Sequence, residues 1–355
     1  MKSLRDTLVL ACLLMSPGGV APVAQDPARS LIPLELGRAI GASVRPSAAE
    51  RNQMLSGSPF TKLLDAEPSR EVAVFGSVWI EAAPNLYAEA VRDIETFERG
   101  GGFRITKRIS DPPRLEDFAA LRLSKKDLDD LEKCRAGNCE IKLGKEALDT
   151  IRAEVDWRGL TAGADAEAVF RRLLFEYVSA YQKQGNAALA VYRDKSKPRS
   201  VETEFRTMIE GMPVLASGIP GLHAYLLDYP NTARTDVTDI FYWQETEFGL
   251  KPTTRISHLM IHETGERTIV ASKMLYASHY FWTALELRVL VPDPARGNGF
   301  WFVTVNRSRA DGLSGFTGRF VRGRVRSEVQ KGSLAGLRAT KARLEAQARS
   351  AGFLR

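Results

Sequence analysis

Histidine and cysteine are scarce in this chain, which has four histidines and three cysteines among 355 residues. A structural zinc site takes four ligands, mostly of these two types, so the chain has little material for one. The chain also lacks a Gly-x-Ser-x-Gly elbow and a His-Glu-x-x-His motif. These absences argue against a hydrolase with a serine nucleophile elbow and against a zinc protease.

Nucleic-acid-binding motifs are missing as well, although the formal net charge is +7. The basic residues are spread through the chain, and no zinc-finger, winged-helix or RNA-recognition signature accompanies them. We therefore expect no nucleic-acid partner, and the charge indicates either a solvated helix face or contact with an anionic membrane surface. With 44% hydrophobic and 26% charged residues, the composition is that of a globular protein of one or two domains.

The first 24 residues have the pattern of a signal peptide. Lys2 and Arg5 precede a short apolar stretch over residues 7–15, and a Ser-Pro-Gly-Gly break follows it. That apolar stretch is too short to cross a bilayer as a helix. We predict a periplasmic or secreted bacterial protein, with a lead-in and a short helix over residues 25–57. A buried N-terminal helix is the alternative.

Two cysteines remain when the predicted signal peptide is removed. Cys134 and Cys139 flank a Gly-Asn turn. In an oxidising compartment such a pair is most simply a local disulfide. Half of a zinc site is the alternative, and it would need two further ligands.

Five segments rich in aromatic and β-branched residues follow one another over residues 239–245, 253–262, 267–276, 281–291 and 300–305. Their length predicts strands, and their short connections predict an antiparallel meander. Glu286 and Arg288 alternate with leucines, so the sheet is expected to have one solvated and one buried face. If Arg255 and Lys273 point to the solvated face, the alternation places the following side chains on the buried face: His258, Met260, His262, Met274 and Tyr276.

A long amphipathic helix is predicted over residues 316–348, which contain no proline. Apolar residues recur there at steps of three and four, with arginines between them. Gly332 and Gly336 interrupt the pattern, and each costs about 1 kcal/mol relative to alanine. Small residues at these positions would let the sheet or a bound ligand approach closely.

The element order resembles the START-like helix-grip superfamily of lipid-transfer and polyketide-cyclase-like proteins, in which a curved antiparallel sheet closes on a C-terminal helix. The resemblance implies an α+β helix-grip domain over residues 58–112 and 235–348. Helical periodicity over residues 113–234 predicts a helical insertion on that sheet or a separate helical domain. The runs EVAVFG (71–76), KMLYASHY (273–280) and VNRSRADG (305–312) also resemble a family of uncharacterised secreted bacterial proteins, which brings no known activity.

His258 and His262 are the sharpest candidates for chemistry. On a strand, four residues span about 13 Å, which is too far for two imidazoles to share one metal ion. We therefore expect no metal and treat the pair as hydrogen-bonding groups of a cavity or as core histidines. Ser278 and His279 are adjacent on a predicted strand and point to opposite faces, so they are not expected to form a catalytic pair.

Arg307, Arg309 and Asp311 lie where the last strand meets the helix, and they either contact an acidic head group or form a structural ion pair. The predicted ligand-binding residues are His258, Met260, His262, Met274, Tyr276, Tyr280, Trp282, Arg307 and Arg309. The first hypothesis is a protein without catalytic residues or cofactor that binds an apolar or amphipathic molecule, such as a lipid, between sheet and helix. The alternatives are a cyclase- or hydrolase-type enzyme using His258, His262 or Tyr276, and a structural envelope protein with a solid core. The oligomeric state is not predicted.

Overall fold

The structure is a computed structural model that describes residues 44–99, 102–231, 234, 236–248, 251–264, 267–313, 315–350 and 352. The predicted signal peptide and most of the predicted lead-in lie outside the described residues. The described part is an α+β protein, with one large antiparallel sheet of eight strands and a long C-terminal helix. None of its described helices combines the length and the apolar character that crossing a membrane requires.

The first described elements are a capped helix and two strands. Helix α1 (Ala48–Leu55) begins at Ser47, whose hydroxyl accepts from the backbone of Glu50 while the Glu50 carboxylate accepts from the backbone of Ser47 at 2.7 Å. Strands β1 (Phe60–Leu63) and β2 (Glu71–Ile80) then pair antiparallel. Every residue of β2 is buried, because helices cover both faces of the sheet at this strand.

Two short helices connect β2 to the opposite edge of the sheet. They are α2 (Pro84–Arg92) and α3 (Ile94–Phe97), and β3 (Phe103–Ile109) follows them. Proline at the first helical position starts α2 without losing a hydrogen bond. The carboxylate of Asp93 accepts from the backbone of Thr96 and caps α3.

The middle of the chain is mainly helical, as predicted. A 3₁₀ turn (Leu115–Phe118) precedes α4 (Lys125–Lys133), α5 (Lys145–Glu154) and α6 (Ala162–Gln184); a second 3₁₀ turn (Gly185–Ala188) and the hairpin β4 (Val191–Tyr192) and β5 (Arg199–Ser200) lead to α7 (Val201–Glu210), α8 (Pro213–Gly218) and α9 (Pro220–Asp228). Cys134 and Cys139 form the predicted disulfide directly after α4, with their Cα atoms 4.5 Å apart.

The predicted meander is confirmed. Its strands are β6 (Val237–Phe248), β7 (Lys251–Thr264), β8 (Arg267–Ala277), β9 (Phe281–Pro292) and β10 (Phe300–Ala310). The order across the sheet is β1-β2-β10-β9-β8-β7-β6-β3, and all neighbouring strands are antiparallel. The N-terminal strands therefore extend the meander at both edges.

Both faces of the sheet are covered. The front face carries Val78, Val270 and Phe302, which pack in one cluster with residues of α2, α3 and the C-terminal helix. The back face packs against α4–α9 through residues such as Met260 and Leu287. The prediction of one solvated face was therefore wrong: Arg288 is 8% exposed, because neighbouring carboxylates allow it to be buried.

The predicted set of inward residues was also wrong, because its members lie on opposite faces. The register pairs His258 with Lys273, so both side chains point to the back face. Met274 pairs with Ser257 and points to the front face. The lysine that was expected to be solvated is in fact 1% exposed.

Helix α10 (Gly315–Ser350) lies along β1 and β2 on the front face. Leu337 and Leu344 are buried there, Gln330 donates to the carbonyl of Thr61, and Lys341 donates to the carbonyl of Trp79 at 2.8 Å. The part of α10 before these contacts is largely exposed. The helix thus packs against one edge of the sheet, and other elements cover the central strands.

Candidate functional site

A cavity of about 450 Å³ lies between the front face of the sheet and α10. Side chains of β8, β9 and β10 form its floor, and one side of α10 forms its roof. Phe97, Glu98 and Phe103 form the wall at one end, where Arg343 of the helix contacts Phe97. The volume falls in the range of about 300–1,000 Å³ that is typical of small-molecule sites.

The roof of the cavity consists mainly of small residues, namely Gly332, Ser333, Gly336, Ala339 and Thr340. A Cβ atom added at Gly332 or Gly336 would meet no atom of the described residues within 4 Å. Both glycines are exposed as well as lining the cavity, so the cavity opens to solvent along this side of the helix. They border the cavity and do not bring the helix closer to the sheet.

The floor is polar in the middle and apolar on both sides. Its polar centre is made by Ser272, Glu286, Arg288, Thr304 and Asn306. Apolar side chains flank this centre, with Tyr87, Phe302 and Leu337 on one side and Val72, Met274 and Ala284 on the other. A molecule in the cavity would therefore contact both kinds of surface.

Arg288 is held at the polar centre by two glutamates. Its Nε and Nη2 atoms donate to the carboxylate of Glu286 at 3.0 and 2.7 Å, and Glu98 lies 3.8 Å from Nη2. The Nη1 atom of Arg288 is buried and has no hydrogen-bond partner among the described residues. A buried polar atom without a partner costs about 1–3 kcal/mol, so such atoms are rare in proteins.

Three other polar groups of the cavity share this property within the described part of the chain: the Tyr87 hydroxyl, Arg255 Nε and Asn306 Oδ1. Burial raises the pKa of the Tyr87 hydroxyl, so this group stays protonated and able to donate. Together the four groups offer three donors and one amide oxygen acceptor. A polar group of a ligand could complete their hydrogen bonding.

Glu98 is the carboxyl group whose charge is most affected by this environment. Burial raises its pKa, and this effect outweighs the lowering by nearby positive charges. Those charges belong to Arg288, Arg255 and Arg343. Three arginines and two glutamates, Glu98 and Glu286, thus meet at this end of the cavity.

Two of the nine predicted ligand-binding residues, Met274 and Arg307, border this cavity, although the side chain of Arg307 points to the back face and pairs there with Glu71. The other seven do not line it: His258, Met260, His262, Tyr276, Tyr280, Trp282 and Arg309. The backbone register explains the separation for the residues of β7, whose side chains reach the back face. That any of the nine residues binds a ligand stays a prediction.

His258 belongs to a buried chain of hydrogen bonds on the back face. Its Nε2 atom lies 2.8 Å from the carboxylate of Asp239, and its Nδ1 atom lies 3.3 Å from the hydroxyl of Tyr181. Lys273 donates to the same hydroxyl at 3.1 Å, and Tyr225 donates to Asp239 at 2.6 Å. Burial lowers the pKa of His258 despite the carboxylate, so the imidazole is packed as a neutral core group.

His262 has a different partner. Its Nε2 atom lies 2.8 Å from the carboxylate of Asp236 and 3.0 Å from Arg234. The two histidines thus bond to separate aspartates. Among the described residues, no group of three or more histidines, cysteines, aspartates and glutamates is arranged to hold a metal ion.

Arg307 and Arg309 form an ion-pair network on the back face. Arg307 donates to Glu71 at 2.5 Å, and Arg309 contacts Glu71 at 3.1 Å, Glu204 at 2.7 Å and Glu67 at 2.9 Å. The network joins β2 and β10 to α7. Of the two roles foreseen for these arginines, the structural ion pair is present.

The remaining predicted residues are packed into the core beside α6 or lie near the turn after β8. The ring of Tyr276 contacts Tyr177 and Tyr192, and Trp282 lies under the guanidinium of Arg199 at 4.5 Å. Tyr280 lies in the turn with a φ of 60°, and Ser278 and His279, which were treated as adjacent strand residues, lie in the same turn. The neighbouring Ser278 and His279 bond to different groups, and His279 lies 3.0 Å from Asp127.

Sequence reasoning missed the residues that make the polar centre of the cavity. Glu286 and Arg288 were noticed as one parity of a strand, but they were assigned to solvent because they are charged. The signal that could have found them is their alternation in phase with Thr304 and Asn306 on the paired strand β10. A row of polar residues on two adjacent strands beneath an amphipathic helix can line a cavity, and exposure to solvent is only one of the two explanations.

In comparisons with protein-family models, with curated proteins and with solved structures, none matches this chain.

Proposed function

We propose that this chain is an exported protein that binds an amphipathic small molecule, such as a lipid, between its sheet and its C-terminal helix. In this proposal the sheet and α10 act as a START-like grip. Export is supported by the N-terminal sequence pattern and by the disulfide between Cys134 and Cys139, since disulfides persist in oxidising compartments.

The observation that carries the proposal is the cavity under α10 and its mixed lining. Aromatic and aliphatic side chains surround a polar centre, and such a combination is typical of ligand sites in which a few polar groups fix the orientation. The helix carries glycines over the cavity at a cost in helix stability, although alanine would fit at both positions. A structural protein with a solid core would have no need of this arrangement.

The enzymatic alternative receives less support from the geometry. Its acid–base candidates His258, His262 and Tyr276 are at most 5% exposed and do not line the cavity. An acid or base must come within about 3 Å of the reacting group, directly or through one water molecule. His262 Nδ1 and the Tyr276 hydroxyl are buried without a partner among the described residues, but neither residue borders the cavity.

The exposed first half of α10 is the part of the molecule that suits an anionic membrane surface. Phe320 and Val321 are 76% and 45% exposed, and Arg322, Arg324 and Arg326 follow directly. Basic residues near a membrane each contribute about 1 kcal/mol of attraction to anionic lipid, and exposed apolar residues add insertion. We propose this surface as the place where the protein would collect or release its ligand.

The binding proposal is tested with the neutral fluorescent probe N-phenyl-1-naphthylamine, which becomes bright in an apolar site. Gly332→Trp places an indole in the cavity, and Ala284→Phe fills it from the sheet, where the side-chain direction is fixed by the strand. Gly323→Trp is the matched control, because Gly323 also has open space around it but does not line the cavity.

We expect saturable binding by the natural chain and by Gly323→Trp, and a loss of at least tenfold in affinity for both filling variants. Circular dichroism confirms that each variant is folded. No binding by the natural chain, or equal binding by folded Gly332→Trp and Ala284→Phe, would overturn the proposal.

The membrane proposal is tested by flotation with vesicles of neutral phosphatidylcholine, with and without phosphatidylglycerol. We expect binding only to the anionic vesicles, weakened by salt and by Phe320→Ser. Binding that is equal for both vesicle types contradicts it.

A further inference from the structure

Arginine dominates the charge at the wall end of the cavity, where Glu98 ends α3. Arg255 and Arg343 have no carboxylate within 4 Å among the described residues, although both line the cavity. Arg343 instead donates to the carbonyl of Phe97 at 2.5 Å, and Arg255 lies over the ring of Phe103. Each therefore keeps a positive charge that no protein carboxylate neutralises directly.

The third arginine, Arg288, is paired with Glu286 but keeps one donor without a partner. Glu286 occupies its Nε and Nη2 atoms, and its Nη1 atom has no partner within the described ranges. An ionised oxygen acceptor is the group that guanidinium donors bind most strongly. The unpaired Arg255 Nε and the protonated Tyr87 hydroxyl would add two further donors at the same end.

The protein's own carboxyls do not remove this positive excess. With all groups ionised, the three arginines at this end face two carboxylates, Glu98 and Glu286, and burial favours the neutral form of Glu98. The third carboxylate of the lining, Glu328, lies about four helical turns before Arg343 on α10 and pairs with Lys331 at 3.1 Å. The local charge is therefore at least one positive unit. Since Arg288 is buried and Arg255 and Arg343 are half-buried, water screens this charge less than it screens charges on an open surface, and the charge favours an anion.

We propose that the ligand of this cavity is a single-chain amphiphile with an anionic oxyacid head, whose oxygens bind the cluster of Arg255, Arg288 and Tyr87. The apolar chain of this molecule would run along Met274 and Ala284 under the glycines of α10. This assignment rests on the proposed binding function, and it excludes neutral and cationic heads as the preferred ligands.

The test compares twelve-carbon amphiphiles that differ only in their heads: dodecanoate, dodecyl phosphate, dodecanol and dodecyltrimethylammonium. Each displaces N-phenyl-1-naphthylamine from the protein at concentrations below its own aggregation. We expect dodecanoate or dodecyl phosphate to bind at least tenfold more tightly than dodecanol, and the ammonium to bind most weakly. The tighter of the two anions identifies the carboxylate or the phosphate as the source of the shared oxyacid chemistry.

Two variants assign the preference to the arginines. Arg255→Gln removes a charge that acts on Glu98 from a distance but forms no ion pair within 4 Å among the described residues, so this variant is expected to fold. Arg288→Gln removes the more buried partner of Glu286 and is the stronger but riskier change. Arg338 lies on the exposed side of α10 and outside the cavity, so Arg338→Gln is the control.

We expect Arg255→Gln to weaken the binding of the anion about tenfold, to leave dodecanol unchanged and to differ from Arg338→Gln. Equal affinity of the natural chain for dodecanoate, dodecyl phosphate and dodecanol would overturn the anionic head while the binding function stands. Tighter binding of the ammonium would overturn it as well and would assign the head to Glu98 and Glu286. A chain that does not bind the probe at all refutes the binding function itself, which is a different result.

Discussion

Replacing Glu71 by glutamine should destabilise the fold far more than replacing Glu67 by glutamine, although both carboxylates contact Arg309. Glu71 is 5% exposed and accepts from two arginines, Arg307 at 2.5 Å and Arg309 at 3.1 Å. Glu67 is 40% exposed, and its two contacts with arginines are one to Arg309 at 2.9 Å and one to the equally exposed Arg70 at 3.2 Å. The pair of variants thus compares the same chemical change at two depths.

The magnitude follows from the burial of the charges left behind. At an effective dielectric constant of about 20, each close contact of opposite charges contributes about 4 kcal/mol, and desolvation offsets much of it. Glutamine at position 71 keeps an amide oxygen but no charge, so Arg307 loses its carboxylate and retains neutral acceptors among the described residues, including two backbone carbonyls at 2.7 and 3.5 Å. Breaking a buried pair in this way costs about 3–5 kcal/mol, whereas an exposed pair contributes about 0–1 kcal/mol.

The assay is denaturant unfolding of the two single variants and the natural chain at neutral pH, followed by circular dichroism and tryptophan fluorescence. A loss of this size should also lower the melting temperature of Glu71→Gln by on the order of 10 °C. Glu67→Gln should melt within about 2–3 °C of the natural chain. If the two variants lose the same stability, the ion-pair network does not hold β2 and β10 to α7, and the reasoning is refuted.

Three further predictions concern the pH dependence, the packing of glycines and the disulfide. Burial lowers the pKa of Lys273 well below 10.5 in the folded chain. Between the folded and unfolded pKa values of this lysine the unfolded chain binds more protons, so the free energy of unfolding should rise with pH across that window. Lys273→Met should flatten the rise when unfolding is measured up to about pH 9.5, below the ionisation of tyrosine. Gly76→Ala should cost about 1–3 kcal/mol, because its Cβ would lie 2.6 Å from a threonine hydroxyl and 3.0 Å from a leucine of α10. Gly332→Ala, which meets nothing within 4 Å of the described residues, should instead raise the melting temperature through a gain of about 1 kcal/mol. Changing Cys134 and Cys139 to serine should remove roughly 2 kcal/mol, the contribution expected for so short a loop, and the natural chain should gain two hydrogens in mass upon reduction.

Much of the fold could be predicted because it depends on local patterns. The strands of the meander were found from aromatic and β-branched residues between turns, and the helix α10 from the recurrence of apolar residues without proline. The capping box at Ser47 and the cysteine pair are equally local, since their partners lie within five residues along the chain. Such features survive folding because the interaction that makes them is already present in a short segment.

The face assignments failed because they depend on partners distant in sequence. Lys273 was expected in solvent because it is charged. In the core its amine instead donates to the hydroxyl of Tyr181 and lies over the ring of Phe205. Arg288 was misplaced for the same reason, because Glu98 approaches it from an element nearly two hundred residues away. A charged residue on a strand is expected to face solvent only when no partner from a distant part of the chain packs beside it.

The sequence by itself therefore determined the elements of this protein: a meander, a long basic helix, a helical middle and a local disulfide. The tertiary structure decided to which face of the sheet each strand residue points and where space is left under the helix. The physical reason is that strand alternation fixes only the relative sides of neighbouring residues. Which side is the cavity, and which charges are buried in it, depends on the pairing of strands and helices that meet only in the folded chain.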